Sequence, residues 1–407
     1  MGTAFDKAKE LDEKHVMHTF VRKPVEFVSG KGMKLYDDEG NEYRDFLSGI
    51  GVVSVGHSEP HVVKAIQDQA AKLLHVGNYY YVEHRGELAE RITGWLKGDG
   101  DEEWLMFFAN SGAEANEGAI KTARRWGKEH AGGNYGIISA NRSFHGRTYA
   151  TLAATAQDAK QDPFAPLPGG FTSVPLNDIA AMEEAVKTPI DDTMPVAVLL
   201  EPVQGESGVW PCTQEYLEAV RRLCDENNML LIFDEVQTGF FRCGKPFAFQ
   251  TYGVEPDIVS MAKGIGGGVP MGGFAARTSV AEVMRPGMHG TTFGGSPLAC
   301  AASDAVTTLM SDPAFAQNVN EMGAYLREQL GKLPFVKDVR GRGLMCGITL
   351  DEPVAGAVVL AGLKHGLVLN NPAADIMRFL PPLICSKEDV DFLIEQLPKC
   401  YEEACNG

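Results

Sequence analysis

The apolar run Leu230–Phe233, which ends at Asp234, is the feature that most restricts how this chain can fold. A short apolar run that stops at polar residues and a glycine is typical of a strand buried on both faces of a parallel sheet. Asp234 then lies at the carboxyl end of that strand, where open α/β sheets bind their ligands. The sequence therefore predicts an α/β fold with a binding crevice beside this carboxylate.

A second candidate strand, Asp257–Met261, precedes Lys263 and a glycine-rich segment. Because parallel strands bring their carboxyl ends to one edge of a sheet, Lys263 and Asp234 are expected to face the same crevice. Pyridoxal 5'-phosphate (PLP) needs this pair: a lysine that binds it covalently and a carboxylate that keeps its pyridine nitrogen protonated. Either residue alone is explained as well by a strand-end cap or a surface charge, so the PLP hypothesis depends on the pair.

Composition excludes several classes of protein. The net charge is −17 and the sequence has no block of Lys and Arg, so binding to a nucleic-acid backbone is not expected. No apolar run approaches the ~20 residues of a membrane span, and the amino terminus is too polar for a signal peptide. The eight cysteines include no C-x-x-C pair, which favours reduced thiols and a cytoplasmic location.

The chain of 407 residues is long enough for two domains, and its pattern changes twice. Residues 1–75 contain a predicted hairpin around Asp38–Asn41 and are expected to join the small domain. Residues 76–300 alternate strands with helices, which predicts a large domain built on a mostly parallel sheet. Residues 301–407 predict a small α+β domain.

The predicted strands of the large domain are Trp104–Ala109, Tyr135–Ser139, Val196–Leu200, Leu230–Phe233 and Ile258–Met261. In the small domain, the segments 339–350, 367–369 and 377–379 are predicted to form one sheet, followed by a final helix from Lys387.

Two of the predicted strands are followed by residues suited to an anionic cofactor or substrate. Ser111 and Gly112 open a predicted helix, whose free N–H groups and dipole favour a phosphate, although Ser111 is also an ordinary helix cap. Phe144 can stack on a flat cofactor and Arg147 can hold a carboxylate through two parallel hydrogen bonds. Glu201 also follows a strand, and a strand-end glutamate is often only a cap.

No metal site is expected. His57 and His61 have helical spacing, but no acidic ligand accompanies them and Pro60 lies between them.

Six motifs, in this order and spacing, resemble those of the class III aminotransferases: Asn110–Glu117, Phe144–Thr148, Glu201–Glu206, Asp234–Gly239, Ala262–Gly264 and His289–Gly295. The resemblance covers roughly residues 20–395. It implies a fold-type-I PLP-dependent transferase that acts as a homodimer.

The resemblance also implies a role for each site residue. Lys263 would bind the cofactor and move the proton, and Asp234 would pair with the pyridine nitrogen. The other implied cofactor contacts are Phe144 and Val236 on the ring, Gln237 at the phenolic oxygen, Ser111, Gly112 and Ala113 at the phosphate, and Thr292 of the partner subunit, also at the phosphate.

Four residues are implied to bind substrate. Arg147, with Thr291 nearby, would hold a carboxylate, while Glu206 and Arg378 would form a gate that admits two different substrates. Segments 48–52, 144–155 and 378–383 favour N2-acetyl-L-ornithine as amino donor and 2-oxoglutarate as acceptor, as in arginine biosynthesis. The products would be N-acetyl-L-glutamate 5-semialdehyde and L-glutamate.

Several alternatives stay open. The donor could be ornithine, succinylornithine or 4-aminobutyrate, or the chain could be a mutase, a decarboxylase or a non-catalytic binding protein of the same fold. The sequence also departs from the family pattern at Phe241, Cys243, Ser296 and Tyr79–Tyr81.

Overall fold

The computed structural model of the protein describes residues 4–98 and 100–406. Its strands are β1 Phe27–Lys31, β2 Lys34–Asp37, β3 Glu42–Asp45, β4 Trp104–Ala109, β5 Gly136–Ala140, β6 Phe171–Val174, β7 Pro195–Leu200, β8 Val203–Gln204, β9 Trp210–Pro211, β10 Leu230–Asp234, β11 Ile258–Met261, β12 Gly272–Arg277, β13 Val336–Arg342, β14 Met345–Leu350, β15 Leu367–Val368 and β16 Ile376–Phe379.

The α-helices are α1 Ala4–His15, α2 Ser48–Gly51, α3 Pro60–Lys72, α4 Arg85–Lys97, α5 Gly112–His130, α6 Tyr149–Ala154, α7 Asp158–Gln161, α8 Ile179–Ala185, α9 Gln214–Glu226, α10 Phe249–Tyr252, α11 Thr278–Ala281, α12 Pro297–Met310, α13 Pro313–Leu330, α14 Ala355–Lys364 and α15 Lys387–Asn406. Short 3₁₀ helices span Asp162–Phe164 and Lys263–Ile265. In the part of the chain that the structure describes, no helix combines the length and apolarity needed to cross a membrane.

The central sheet has seven strands in the order β4-β12-β11-β10-β7-β5-β6. Strand β12 runs antiparallel to both of its neighbours, and the remaining pairs are parallel. The carboxyl ends of all strands except β12 therefore meet at one edge. Every residue of β7 and β10 is buried, as expected for strands covered on both faces.

The predicted mostly parallel sheet is confirmed. Strands β4 and β11 have the predicted bounds. Strands β7 and β10 are each one residue longer than predicted, and β5 is shifted by one residue along the chain. Strands β6 and β12 were not predicted. Strand β12 has a weak strand signal because it begins with two glycines and continues with one aromatic residue and two alanines.

The glycines of β12 let it lie close to the start of helix α5. A Cβ on Gly272 would lie 2.6 Å from the carbonyl oxygen of Ser111, and one on Gly273 would lie 2.6 Å from that of Phe107. Since real Cβ atoms do not approach backbone oxygens so closely, side chains at these positions would push β12 away from β4 and α5. The glycines thus fix where helix α5 begins.

Two smaller sheets contain the terminal strands. Strands β13, β14 and β16 form an antiparallel sheet, and β1, β2, β3 and β15 form the other. The prediction that residues 367–369 share a sheet with 377–379 is wrong. Strand β15 instead pairs in parallel with β3, where the amide of Arg44 donates to Gly366 and that of Phe46 to Val368. The predicted hairpin between β2 and β3 is confirmed.

Helix α5 packs so tightly on the central sheet that one position leaves no space for a side chain. A Cβ on Gly118 would lie 2.2 Å from a ring carbon of Phe274. We expect Gly118→Ala to lower the free energy of unfolding by about 1–2 kcal/mol, because overpacking outweighs the better helix propensity of alanine. Differential scanning calorimetry would show a melting temperature reduced by a few degrees.

Gly94→Ala is the matched control, since Gly94 lies in helix α4 and a Cβ there would meet no atom within 4 Å. It should leave the free energy of unfolding unchanged or raise it by up to about 1 kcal/mol, so the melting temperature should not fall. Equal melting temperatures for the two variants would contradict tight packing at Gly118.

Candidate active site

A cavity of about 480 Å³ opens at the edge of the sheet where the parallel strands end. Most of the predicted site residues line it: Ser111, Gly112, Ala113, Phe144, Arg147, Glu206, Asp234, Val236, Gln237 and Lys263. Residues that follow β4, β5, β7, β10 and β11 thus meet in one place, as the parallel topology requires.

The carboxylate of Asp234 is buried and held by three donors. Its Oδ2 accepts from Nδ2 of Asn116 at 2.7 Å and from Nδ1 of His145 at 2.8 Å, and its Oδ1 accepts from the amide of Val236 at 3.0 Å. Asn116 is itself held by the hydroxyl of Ser260, which donates to its Oδ1 at 2.5 Å. A buried carboxylate with this many partners has one fixed orientation.

The sequence assigned no role to Asn116 or His145. Both lie inside recognised motifs, and Asn116 follows Gly112 by one helical turn, so it shares the face of α5 that meets the sheet. His145 comes directly after Phe144 in the loop that follows β5. Helical spacing could have indicated Asn116, but only the folded chain shows that both side chains reach Asp234.

The amino terminus of helix α5 opens onto the cavity. Ser111 is its cap, with Oγ accepting from the amide of Glu114 at 3.2 Å. Gly112 is required there, because a Cβ would lie 2.6 Å from Cγ1 of Val236. The free N–H groups and the helix dipole make this end of the cavity suitable for a phosphate.

Lys263 follows β11 and lines the cavity with a left-handed φ of 49°, a conformation that non-glycine residues seldom adopt. Loss of contact with water lowers the pKa of its amine to about 8, and the positive charge of Arg378 adds to this. Asp234 and Glu206 oppose the shift. A larger fraction of Lys263 is therefore the neutral, nucleophilic amine than for an ordinary lysine.

Arg378 and Glu206 form an ion pair beside the cavity. Nη1 of Arg378 lies 3.2 Å from a carboxylate oxygen of Glu206, 3.0 Å from the carbonyl oxygen of Gly205 and 3.5 Å from Oε1 of Gln237. Arg378 is almost completely buried, which lowers the pKa of its guanidinium, whereas the side chain of Glu206 is 37% exposed. Of the two side chains, Glu206 is therefore the one in contact with solvent.

Glu201 is a further cavity residue that the sequence treated only as a cap. It is buried, and it accepts from the amides of Phe144 at 3.0 Å and Gly205 at 3.1 Å. It thereby joins the two loops that contain Phe144 and Glu206. Burial raises the pKa of its carboxyl.

Thr291 and Thr292 do not line this cavity. The hydroxyl of Thr291 accepts from Nδ2 of Asn110 at 3.1 Å, which places its loop next to the start of α5. Thr292 is exposed.

The residues that depart from the family pattern lie outside the cavity lining. Phe241 packs edge-on against Trp95, Cys243 is buried, and Ser296 caps helix α12. The rings of Tyr79–Tyr81 are exposed.

The fold and the cavity define a class of enzyme. A lysine with a lowered pKa, a fixed carboxylate and a helix amino terminus lie together at one edge of a mostly parallel sheet, and this is the architecture of a fold-type-I PLP-dependent transferase. The donor set fits PLP, since each ionic group of the cofactor has a suitable partner in the cavity.

The chain belongs to the class III aminotransferases, because the model of that family matches residues 16–401. It is 46% identical to the acetylornithine aminotransferase of Caldanaerobacter subterraneus subsp. tengcongensis, over 96% of this chain and 98% of that protein. It is also 46% identical to that of Methanocaldococcus jannaschii, over 97% and 98%.

Solved structures show the same fold. The ornithine aminotransferase of Toxoplasma gondii superimposes with a TM-score of 0.91 at 32% identity, covering 100% of this chain and 96% of that one. The acetylornithine aminotransferase of Elizabethkingia anophelis gives a TM-score of 0.86 at 36% identity, covering 98% and 99%. The protein is thus a PLP-dependent aminotransferase that acts on small amino and keto acids.

The lowered pKa of Lys263 predicts how the cofactor-free protein reacts with an acylating reagent. Below pH 8 Lys263 is mostly the unreactive ammonium, and above pH 8 it is mostly the neutral amine. The rate of acetylation of Lys263 should therefore rise with pH, with a midpoint near pH 8. Peptide mass spectrometry after brief exposure to acetic anhydride at a series of pH values would measure this.

Nα-acetyllysine in the same tube is the internal control, with an expected midpoint near the ordinary ~10.4. Coincident midpoints for the peptide and the control would contradict the inferred environment of Lys263.

Proposed function

We propose that the protein transfers the δ-amino group of N2-acetyl-L-ornithine to 2-oxoglutarate, giving N-acetyl-L-glutamate 5-semialdehyde and L-glutamate. The observation that carries the proposal is the pairing of buried Arg378 with partly exposed Glu206, while Arg147 on the same cavity forms no ion pair with any of the residues that the structure describes. Such a cavity suits two substrates that differ in how many carboxylates they bring. The names of the 46% identical relatives support the same donor.

Each cofactor contact has a proposed role. When bound, PLP stabilises negative charge on the carbon that carries the transferred nitrogen. Lys263 would take the proton from that substrate carbon and deliver it to the former aldehyde carbon of the cofactor, and its lowered pKa favours the first of these transfers. Asp234 would hold the pyridine nitrogen protonated and Gln237 would bind the phenolic oxygen. Phe144 and Val236 would contact the ring, and residues 111–113 would bind the phosphate.

The two substrates use the cationic groups differently. Acetylornithine places its α-carboxylate on Arg147, and the Glu206–Arg378 pair stays closed because this donor brings no second carboxylate. Glutamate and 2-oxoglutarate bring two, so Glu206 moves aside and Arg378 binds the carboxylate next to the reacting carbon. The partly exposed side chain of Glu206 supports this movement.

Transamination of ornithine itself is the second candidate, favoured by the likeness to the Toxoplasma gondii ornithine aminotransferase. Ornithine adds an α-ammonium at the end of the cavity where Arg147 lies. That charge would lie near a like charge, and Glu206 could neutralise it only by leaving Arg378.

We therefore expect kcat/KM for acetylornithine to exceed that for ornithine by at least ~10-fold, or about 1.4 kcal/mol. Steady-state assays with 2-oxoglutarate and a panel of donors would measure the ratio. Arg147→Lys should reduce activity on acetylornithine, because a point charge does not replace the planar fork. Equal or better use of ornithine would reject acetylornithine as the donor and leave the aminotransferase class intact.

We also propose a cytoplasmic homodimer in which Thr292 binds the phosphate held mainly by the other subunit. The exposed position of Thr292, off its own cavity, supports this arrangement. A hydroxyl on a loop next to α5 is well suited to donate to a phosphate across a subunit interface.

Mixing two inactive variants tests the shared site. Lys263→Ala lacks the amine, and Thr292→Glu places a negative charge against the phosphate. Unfolding and refolding the variants together should yield heterodimers with one intact composite site each, and so about a quarter of wild-type activity from random pairing.

Lys263→Ala mixed with Asp234→Asn is the matched control. Lys263 and Asp234 line the same cavity within one chain, so each site of a heterodimer would lack one of them. This mixture should therefore not gain activity. If the Thr292→Glu mixture also gains none, Thr292 does not serve the partner's site.

A further inference from the structure

Two positive side chains lie near one aromatic ring that lines the cavity. The guanidinium of Arg147 and the ammonium of Lys160 are each 5.5 Å from the centre of the Phe144 ring. Phe144 and Arg147 line the cavity, and Lys160 reaches the same ring from helix α7. A second cation thus lies beside the cavity, next to a ring that lines it, whereas the proposed donor needs only one.

Neither cation forms an ion pair with a carboxylate within residues 4–98 and 100–406. The carboxylate of Glu206 is bonded to Arg378 instead. Lys160 donates to the neutral side-chain oxygen of Gln157. Partial burial lowers the pKa of Lys160, an effect that the charge of Glu206 opposes and that of Arg147 increases. Two neighbouring cations without an anionic partner suit a ligand that carries two negative charges.

The positions of the two cations limit what that ligand can be. Because each charge lies 5.5 Å from the centre of the Phe144 ring, the distance between the two charges is at most twice that value. A donor whose α-carboxylate binds Arg147 carries its N-acyl group next to that carboxylate. A four-carbon acyl chain is long enough to present a terminal carboxylate to the flexible ammonium of Lys160, whereas an acetyl group has no charge to offer.

We propose that Lys160 and Arg147 together form a dicarboxylate subsite, so that Lys160 selects amino donors whose N-acyl group ends in a carboxylate. This inference rests on the proposed function, because it assumes that the α-carboxylate of an N-acyl donor binds Arg147. Lys160 is then a specificity-determining residue: it takes no part in proton transfer, and its charge decides which acyl group the site prefers.

The test compares kcat/KM for N2-succinylornithine and N2-acetylornithine in the wild-type holoenzyme and in Lys160→Gln. Removal of one partly exposed charge should lower the succinyl-to-acetyl ratio by about 5-fold. Lys160→Arg should retain the wild-type ratio, since it keeps the charge. Raising the ionic strength should reduce the ratio in the wild type and have less effect on Lys160→Gln.

Lys187→Gln is the matched control, because Lys187 is exposed, follows helix α8 and is not one of the cations near the Phe144 ring. It should leave the ratio unchanged. The proposal is overturned if Lys160→Gln leaves the ratio at the wild-type value, or if Lys160→Arg lowers it as much as Lys160→Gln does.

Binding of unreactive analogues separates this proposal from the proposed function. N2-succinylnorvaline and N2-acetylnorvaline lack the amine that is transferred, so calorimetry on the holoenzyme reports affinity alone. A succinyl-to-acetyl ratio of affinities that falls about 5-fold in Lys160→Gln supports the subsite even if neither ornithine derivative is turned over. An unchanged ratio of affinities rejects the subsite even if both are turned over.

Discussion

Three hydrogen bonds to one buried carboxylate organise this protein. Asp234 terminates β10, and its oxygens accept from Asn116 on helix α5, from His145 after β5 and from the amide of Val236. These donors come from three separate parts of the chain. The carboxylate has this orientation only if the sheet has its observed strand order and α5 begins where it does. The geometry of the site therefore depends directly on the fold.

The pairing of strands explains how Lys263 comes to face this carboxylate. Strands β10 and β11 are parallel neighbours with Asp234 opposite Ser260, so the chain needs only a few residues after β11 to bring Lys263 onto the same cavity. The hydroxyl of Ser260 also holds Asn116, which links the two strands through the site itself. Burial and the nearby cation Arg378 then lower the pKa of Lys263.

The parts of this arrangement that follow from local pattern could be predicted from the sequence. Apolar runs located the buried parallel strands to within a residue, and the residues after them line the cavity. Strand β12 was missed because its glycines are there to allow close approach to Phe107 and Ser111, a reason that exists only in the folded chain. Asn116 and His145 had no predicted role because their partner Asp234 is distant in sequence, and Glu201 was treated only as a cap. The pairing of β15 with β3 was also missed. The two strands are far apart in the sequence, and a strand of two residues is too short for its pattern to indicate its partner.

The central claim, that Asp234 acts on the cofactor and is more than a strand-end cap, is tested most directly by Asp234→Asn. The amide keeps the size of the side chain, so folding should be retained while kcat/KM falls at least ~100-fold, on the order of 3 kcal/mol of transition-state stabilisation. Asp257→Asn is the matched control, because Asp257 lies at the opposite end of the neighbouring strand and pairs with Arg221 at 2.8 Å. Its kcat/KM should stay within about 2-fold of wild type. Near-wild-type activity of Asp234→Asn, with the cofactor bound, would contradict the account.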